Sequence, residues 1–437
     1  MERIKIHTDY EYLYFDNQID FFAAVDKLLS EGYEVTDSVH LCVEVTKDKH
    51  TYLLSYIPVE HVDEHIKDTL KGLDVPYKVI YPDYEKCILN IIASIQKSLG
   101  KTPEYSTNST IDEILKEKEY KHIILLLLDG LGENILENNL PNDSFLKQHH
   151  VYTNIAIYPS TTAASTTATK NGLAPIRTAW LGWENYFQEI HKNICLFNGT
   201  DYVTDEPTGF NTYKALPYSL FHEDLKIVEP DFKKENRDFT EVLKNSLRIA
   251  NKQEKSLQYV YFTEPDSSMH EFGAYSQTTK DKLERIEAEL VKYKEALPSD
   301  TLLIISADHG HTNVSPIELW ACPTIQRMLK RMPSNDSRCI TFCVKDEFKS
   351  SFMKTFKDLF GYAYDIYPTE EAIRRGFFGK TDDAVHPRTK DFLADFVAVG
   401  IKEYYFNYKG KDNIVFKSHH AGMTAEEMLV PVIIYRK

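Results

Sequence analysis

Three stretches of the chain, HIILLLL from His122, LQYVYF from Leu257 and LLIIS from Leu302, are apolar at almost every position and end just short of a carboxylate, at Asp129, Asp266 and Asp308. A strand with one wet face would alternate; unbroken runs of this length predict strands buried on both faces, as in a parallel sheet covered by helices. In open α/β sheets ligands bind beyond the carboxyl ends of the strands, so three strands would bring acids to the edge where a site belongs. The expected fold class is therefore α/β, with a largely parallel central sheet flanked by helices.

Elsewhere the periodicity is helical. Cys87, Ile88, Ile91, Ile92, Ile95 and Leu99 recur at three- and four-residue spacing and predict a helix over Tyr84–Leu99 that stops at Gly100. The polar stretch Lys101–Thr110 is the loop leading to the first apolar run. Before it, strand-like runs at Ile4–Ile6, Val39–Val45 and Tyr52–Ile57 alternate with helical patterns at Phe21–Ser30 and His61–Gly72. This predicts a small accessory α+β module over residues 1–80, followed by a catalytic domain over 81–437. Between Asn313 and about Arg388 the chain leaves the sheet pattern, with CITFCV, a helical Asp346–Leu359 and a Gly-Phe-Phe-Gly stretch. An inserted cap subdomain over about 313–388 is expected there.

Composition narrows the partners. The net charge of −15 repels polyanions at long range, which disfavours long nucleic acid. Met1–Asp20 mixes charges with aromatics and no apolar run is of membrane length, so the expectation is a cytoplasmic protein with no membrane partner. The six cysteines stand singly, without a CxxC pair, and receive no chemistry.

Each strand end carries more than an acid. Asp266 is followed by His270, Asp308 by His309, and His419 and His420 stand together in KSHHAGMT. Asp, His and a hydroxyl are the ligand types of catalytic zinc and related ions, and together they suffice for two metals. Taken singly, a strand-end Asp is usually a helix cap; the coincidence of three such ends with ligand-spaced histidines is what favours a site. The hydroxyl-rich segment Tyr158–Pro175, YPSTTAASTTATKNGLAP, predicts a helix with Ser160 or Thr161 as its N-cap. Its start would offer N–H groups to a phosphate and a threonine oxygen as a nucleophile.

Strand-DG, PSTT before a helix, EPDSSMHEFG, SADHG and HHAGMTAEEMLVP, in this order, resemble the alkaline phosphatase superfamily and look closest to its nucleotide pyrophosphatase/phosphodiesterase branch. The resemblance covers about Tyr81–Lys437. It implies one metal held by Asp129, Asp308 and His309 together with the nucleophile Thr162, and a second held by Asp266, His270 and His420, with His419 as the fallback. Thr161 and Ser160 are the neighbouring alternatives for the nucleophile. The cofactors implied are two divalent ions, zinc with manganese as the alternative, and the substrate is a small phosphorylated or nucleotide-like molecule.

One departure stands out. The branch has an asparagine about twenty residues after the nucleophile, where this chain has Trp183; Asn185 and Asn171 are the nearby substitutes. The expected function is phosphodiester or pyrophosphate hydrolysis through a phospho-threonine. A phosphomonoesterase or phosphonate hydrolase is the alternative, with Lys170 and Arg177 as cationic clamps, and a silent metal-binding scaffold is a remote one. Homo-oligomerisation would run through the N-terminal module.

Overall fold

The computed structural model describes residues 2–7, 10–39, 41–56, 78–233, 237–410 and 414–437. The chain divides into two compact units: Met1–Val79 with Ser315–Ala372 and Leu393–Val415, and Ile80–Val314 with Ile373–Phe392 and Phe416–Lys437.

The larger unit is built on a six-stranded sheet of β1 (His122–Leu128), β2 (His150–Ile155), β3 (Leu225–Val228), β4 (Ser256–Phe262), β5 (Thr301–Ser306) and β6 (Leu429–Arg436). Their order is β3-β4-β1-β5-β6-β2. The first four are parallel, and β6 runs antiparallel to both of its neighbours. Every residue of β1, β4 and β5 is buried, as their unbroken apolar runs require. The register sets Leu128 opposite Phe262 and Leu127 opposite Ser306, so the three strands finish level with one another. Gln258, polar in the middle of β4, is satisfied by Ser246 Oγ at 2.7 Å from the helix Phe239–Lys252.

The helix expected over Tyr84–Leu99 is the shorter Ile88–Ser98. Lys86 N–H closes a turn on Asp83 O, and the Asn90 side chain accepts from Cys87 N at 2.8 Å, which fixes the start at Cys87. Apolar spacing could not show this, because Cys87 is buried in its capping role as it would be in a helix.

In the smaller unit a five-stranded sheet has the order Glu2–His7, Tyr10–Phe15, His50–Tyr56, Cys42–Lys47, Glu34–Val39. The run Val39–Val45, expected as one strand, spans the end of one strand, a connection and the start of its antiparallel partner, with Val39 facing Cys42. Leu41, with φ +58°, carries that connection, and a leucine gives no turn signal in sequence. The helix expected at Phe21–Ser30 runs Gln18–Ser30, capped by Asn17. It is joined to the 315–372 segment: Gln18 exchanges hydrogen bonds with Pro316 O and Glu318 N, and the Phe22 and Phe360 rings meet edge-on at 6.2 Å. The helix expected at His61–Gly72 lies outside the described residues. Among those described, no helix is long and apolar enough to cross a membrane.

Candidate active site

Beyond the level ends of β4, β1 and β5 the backbone ladder continues for one more step. Asp129 N donates to Phe262 O, and Asp266 N to Asp129 O, each at 3.0 Å. Gly130 follows in the left-handed region at φ +73°, and a Cβ there would lie 3.1 Å from Asp266 Cα. Only glycine lets the two acid-bearing turns approach this closely. Asp308 Oδ1 accepts from Gly130 N and His309 N, both at 3.1 Å, so one carboxylate oxygen fastens its own turn to that of Asp129. The helix Ala425–Met428, directly after the HHAGMT segment, closes against Gly310, where a Cβ would sit 2.0 Å from Glu426 O.

The hydroxyl-rich segment forms the helix Thr162–Asn171, with Thr161 at the N-cap and Gly172 at φ +69° ending it. Ser160 Oγ donates to Gly422 O, Thr166 Oγ1 to Thr162 O and Thr169 Oγ1 to Ser165 O, so several hydroxyls have structural work. Ser160, Thr161, Ser165, Thr166, Thr167 and Thr169 are all buried; Thr162 is partly open to solvent. Its Oγ1 lies 3.2 Å from His309 Nε2 and 3.5 Å from each Asp129 oxygen.

Among the described residues, two groups of side chains could each hold a metal ion: Asp129, Asp308 and His309, and Asp266, His270, His311 and His420. They abut, since the His309 and His420 rings stack with centroids 3.8 Å apart. The hydrogen bonds of the rings define what they present. His309 Nδ1 faces Gly310 O, His270 Nδ1 faces Ser418 O and His420 Nδ1 faces Ser160 O, at 3.0–3.1 Å. A carbonyl only accepts, so each Nδ1 carries a proton, and in its neutral form each ring would turn a bare Nε2 inward. His309 Nε2 then looks at Asp129 Oδ1 (3.4 Å) and Asp308 Oδ2 (3.6 Å), and His270 and His420 Nε2 look at Asp266 Oδ1 (3.3 and 3.6 Å). Lone pairs aimed at carboxylate oxygens repel unless a proton or a metal cation lies between them, and separations of this length fit the edges of a metal's coordination shell. Asp308 Oδ2 is buried without a hydrogen-bond partner, as a ligand oxygen awaiting a cation would be.

Burial, and then the neighbouring Asp266 and Asp308, push Asp129 well above the usual carboxylate range. Burial raises Asp308 as well, against the pull of His309. At Asp266 burial acts upward too, but His270 and His311 outweigh it and hold the group well below that range. Burial, reinforced by His309, keeps His420 well below the usual imidazole range and its Nε2 free. Tyr261, whose hydroxyl donates to Asp129 Oδ2, is the neutral support of this acid.

The sequence-derived set Asp129, Thr162, Asp266, His270, Asp308, His309 and His420 is thus gathered in one place. His419 belongs to neither group among the described residues; its Nδ1 accepts from His420 N. Asn171 sits at the far end of the Thr162 helix, about 13 Å along its axis at 1.5 Å per residue, and receives Ser219 N. Asn185 is fully buried in the strand Glu184–Phe187. Lys170 pairs with Glu229 at 3.0 Å and Arg177 with Glu104 at 2.8 Å, so neither is a spare cation. His311 was not anticipated. It lies two residues beyond His309 in SADHGH, and that spacing was the signal available for it.

The profile of the family described as Type I phosphodiesterase / nucleotide pyrophosphatase matches residues 168–424. A comparison with curated proteins gives no match. Among solved structures the fold is similar to murine ectonucleotide pyrophosphatase/phosphodiesterase 5, in an inactive form in complex with AMP, at 17% identity and TM-score 0.55, over 73% of this chain and 88% of that one. It is also similar to phosphonoacetate hydrolase from Sinorhizobium meliloti in complex with phosphonoacetate, at 14% identity and TM-score 0.53, over 72% and 90%. With the profile spanning more than half of the chain and the fold in agreement, this protein belongs to the type I phosphodiesterase / nucleotide pyrophosphatase family of metal-dependent phosphoric ester hydrolases.

Proposed function

We propose that the protein hydrolyses phosphodiesters or nucleotide pyrophosphates with Thr162 as nucleophile and two divalent ions, zinc with manganese as the alternative. In this reading Asp129, Asp308, His309 and Thr162 hold one ion, and Asp266, His270 and His420 the other. The observation that carries it is the position of Thr162 Oγ1, 3.2 Å from His309 Nε2 and 3.5 Å from both Asp129 oxygens, on the one partly open hydroxyl of its segment. When bound, the ions would make the threonine oxygen a usable alkoxide and neutralise charge on the leaving oxygen.

The residues supply the rest. Thr162 Oγ1 bonds to phosphorus in line with the departing oxygen, whose bond to phosphorus breaks; the product is a covalent phospho-threonine and a released alcohol or phosphate. Water then attacks phosphorus opposite the Thr162 oxygen, the bond between phosphorus and that oxygen breaks, a phosphate monoester leaves, and a proton from the attacking water restores the Thr162 hydroxyl. The first turn of the Thr162–Asn171 helix, with N–H groups outside its own ladder, suits the non-bridging oxygens. The three imidazoles, held through Nδ1, keep a fixed orientation throughout the cycle.

Diester is preferred to monoester on one further observation. A monoester dianion asks for an extra cationic clamp, and the two candidates, Lys170 and Arg177, are already paired with Glu229 and Glu104. The neighbour in complex with AMP accords with this, and its inactive form carries a threonine-to-alanine substitution. The phosphonoacetate complex of the other neighbour makes phosphonate hydrolysis the second reading.

The test is hydrolysis of bis-p-nitrophenyl phosphate, p-nitrophenyl phosphate and phosphonoacetate by purified protein loaded with zinc or manganese, with Thr162→Ala as control. Diester cleavage lost in the variant supports the reading. Monoester or phosphonate preference would move the protein to the second class, and full activity in the variant would remove Thr162 from its role.

A further inference from the structure

His311 is fully buried beside Asp266, and its place among three imidazoles invites the assignment of a fourth ligand. The distances separate it from the others. Two ligand atoms each about 2.0–2.1 Å from a tetrahedral zinc lie about 3.3 Å apart. His270 and His420 Nε2, at 3.3 and 3.6 Å from Asp266 Oδ1, fit such an edge. His311 Nε2 is only 2.6 Å from the same oxygen, closer than the roughly 2.9 Å edge that a right-angled coordination geometry would give, and close to the about 2.7–2.9 Å of a charge-assisted N–H···O hydrogen bond.

The proton inventory permits that bond. Nδ1 of His311 lies 2.9 Å from Ser418 Oγ, so it can accept the serine proton while Nε2 carries its own. Ser418 Oγ also donates toward Met269 O at 2.7 Å, a carbonyl that already receives Gly273 N–H at 2.8 Å, so the serine proton is shared between that carbonyl and His311 Nδ1. The backbone of Ser418 is itself engaged, since its carbonyl orients His270.

We propose that His311 is a positioning residue: a chain Ser418–His311–Asp266 that aims the Asp266 carboxylate at the cation shared with His270 and His420. This rests on the two-metal reading above. Its consequence is chemical. Four protein ligands would close the site as in structural zinc centres, whereas three leave the open position that a catalytic site keeps for substrate or water. Carboxylates that bind metals are commonly held by such outer partners, whose loss weakens the metal about 10–100-fold.

The experiment compares wild type with His311→Leu, His311→Gln and Ser418→Ala by calorimetric titration of metal-free protein with cobalt(II), reading the visible spectrum of the saturated form. The proposal expects two equivalents in the wild type. In His311→Leu one of them is weakened 10–100-fold, with the band position and intensity at saturation unchanged. Glutamine, which can still donate to Asp266, recovers most of the affinity, and Ser418→Ala falls between. A shifted saturated spectrum in His311→Leu or His311→Gln would make His311 a ligand and overturn the proposal, as would unchanged affinity in all three variants. If His311→Leu does not fold, His311→Gln and Ser418→Ala carry the comparison. A wild type that takes up no divalent ion would instead refute the two-metal reading beneath it.

Discussion

Replacing Asp308 by asparagine should stabilise the metal-free protein while crippling the loaded one. Asp308 Oδ1 accepts two backbone N–H groups, from Gly130 and His309, and an asparagine oxygen would keep both. Oδ2 is buried, has no hydrogen-bond partner and lies 3.6 Å from the bare Nε2 of His309. An amide NH2 in its place could donate to that nitrogen. An unsatisfied buried polar group costs about 1–3 kcal/mol, so Asp308→Asn without metal is expected to be more stable by about that amount.

The sign with pH follows from the raised pKa. A carboxylate whose folded value lies above the unfolded 3.8 contributes stability that is present below 3.8 and lost as pH rises through the raised value. The advantage of asparagine is therefore small near pH 4 and grows toward pH 8. With zinc the order reverses. A site saturated at 100 times its Kd adds about 2.7 kcal/mol, and the variant forfeits this for the Asp129–His309 site. Urea unfolding of EDTA-treated and zinc-loaded protein across this pH range measures both effects. A metal-free variant less stable than wild type at pH 8, or equal stabilisation of both proteins by zinc, would refute the reasoning.

Other substitutions probe the scaffold. Gly310→Ala forces a Cβ to 2.0 Å from Glu426 O, backbone that cannot step aside, and should cost roughly 3 kcal/mol or more; a melting temperature within a degree of wild type would contradict this close approach. Ala421, between His420 and Gly422, sits at φ +86°, so Ala421→Gly is expected to stabilise by about 1 kcal/mol in thermal melts, and a lowered melting point would tell against the strain. Tyr261→Phe removes the hydroxyl that supports Asp129 and should weaken one of the metals about tenfold in calorimetric titration; unchanged binding of both would show that the contact orients nothing.

Much of the site was legible because β1, β4 and β5 are buried on both faces and therefore write themselves as unbroken apolar runs, with the acids at their ends. Thr162 was singled out only through the resemblance of PSTT, with Gly172 ten residues on, to a known family, since capping by itself left the helix start between Ser160 and Thr161. His311 was hidden by its own neighbourhood: SADHGH reads as a turn carrying ligands, and nothing in spacing distinguishes a ring that binds a cation from one that holds the carboxylate. Nor could sequence show that Lys170 and Arg177 are committed to Glu229 and Glu104, since ion-pair partners this far apart along the chain meet only in the fold. The hairpin within Val39–Val45 was missed for a local reason, a leucine at positive φ where turn chemistry normally shows glycine or asparagine.

The most direct test of the account is to catch the covalent intermediate. Zinc-loaded protein would be mixed with a diester, quenched in acid at successive times and digested, and the peptide containing Ser160, Thr161 and Thr162 sequenced by mass spectrometry. The account predicts a transient phosphoryl-ester adduct on Thr162 that rises and decays with turnover and is absent from Thr162→Ala. Turnover with no adduct at any time, or an adduct on Ser160 or Thr161, would contradict it.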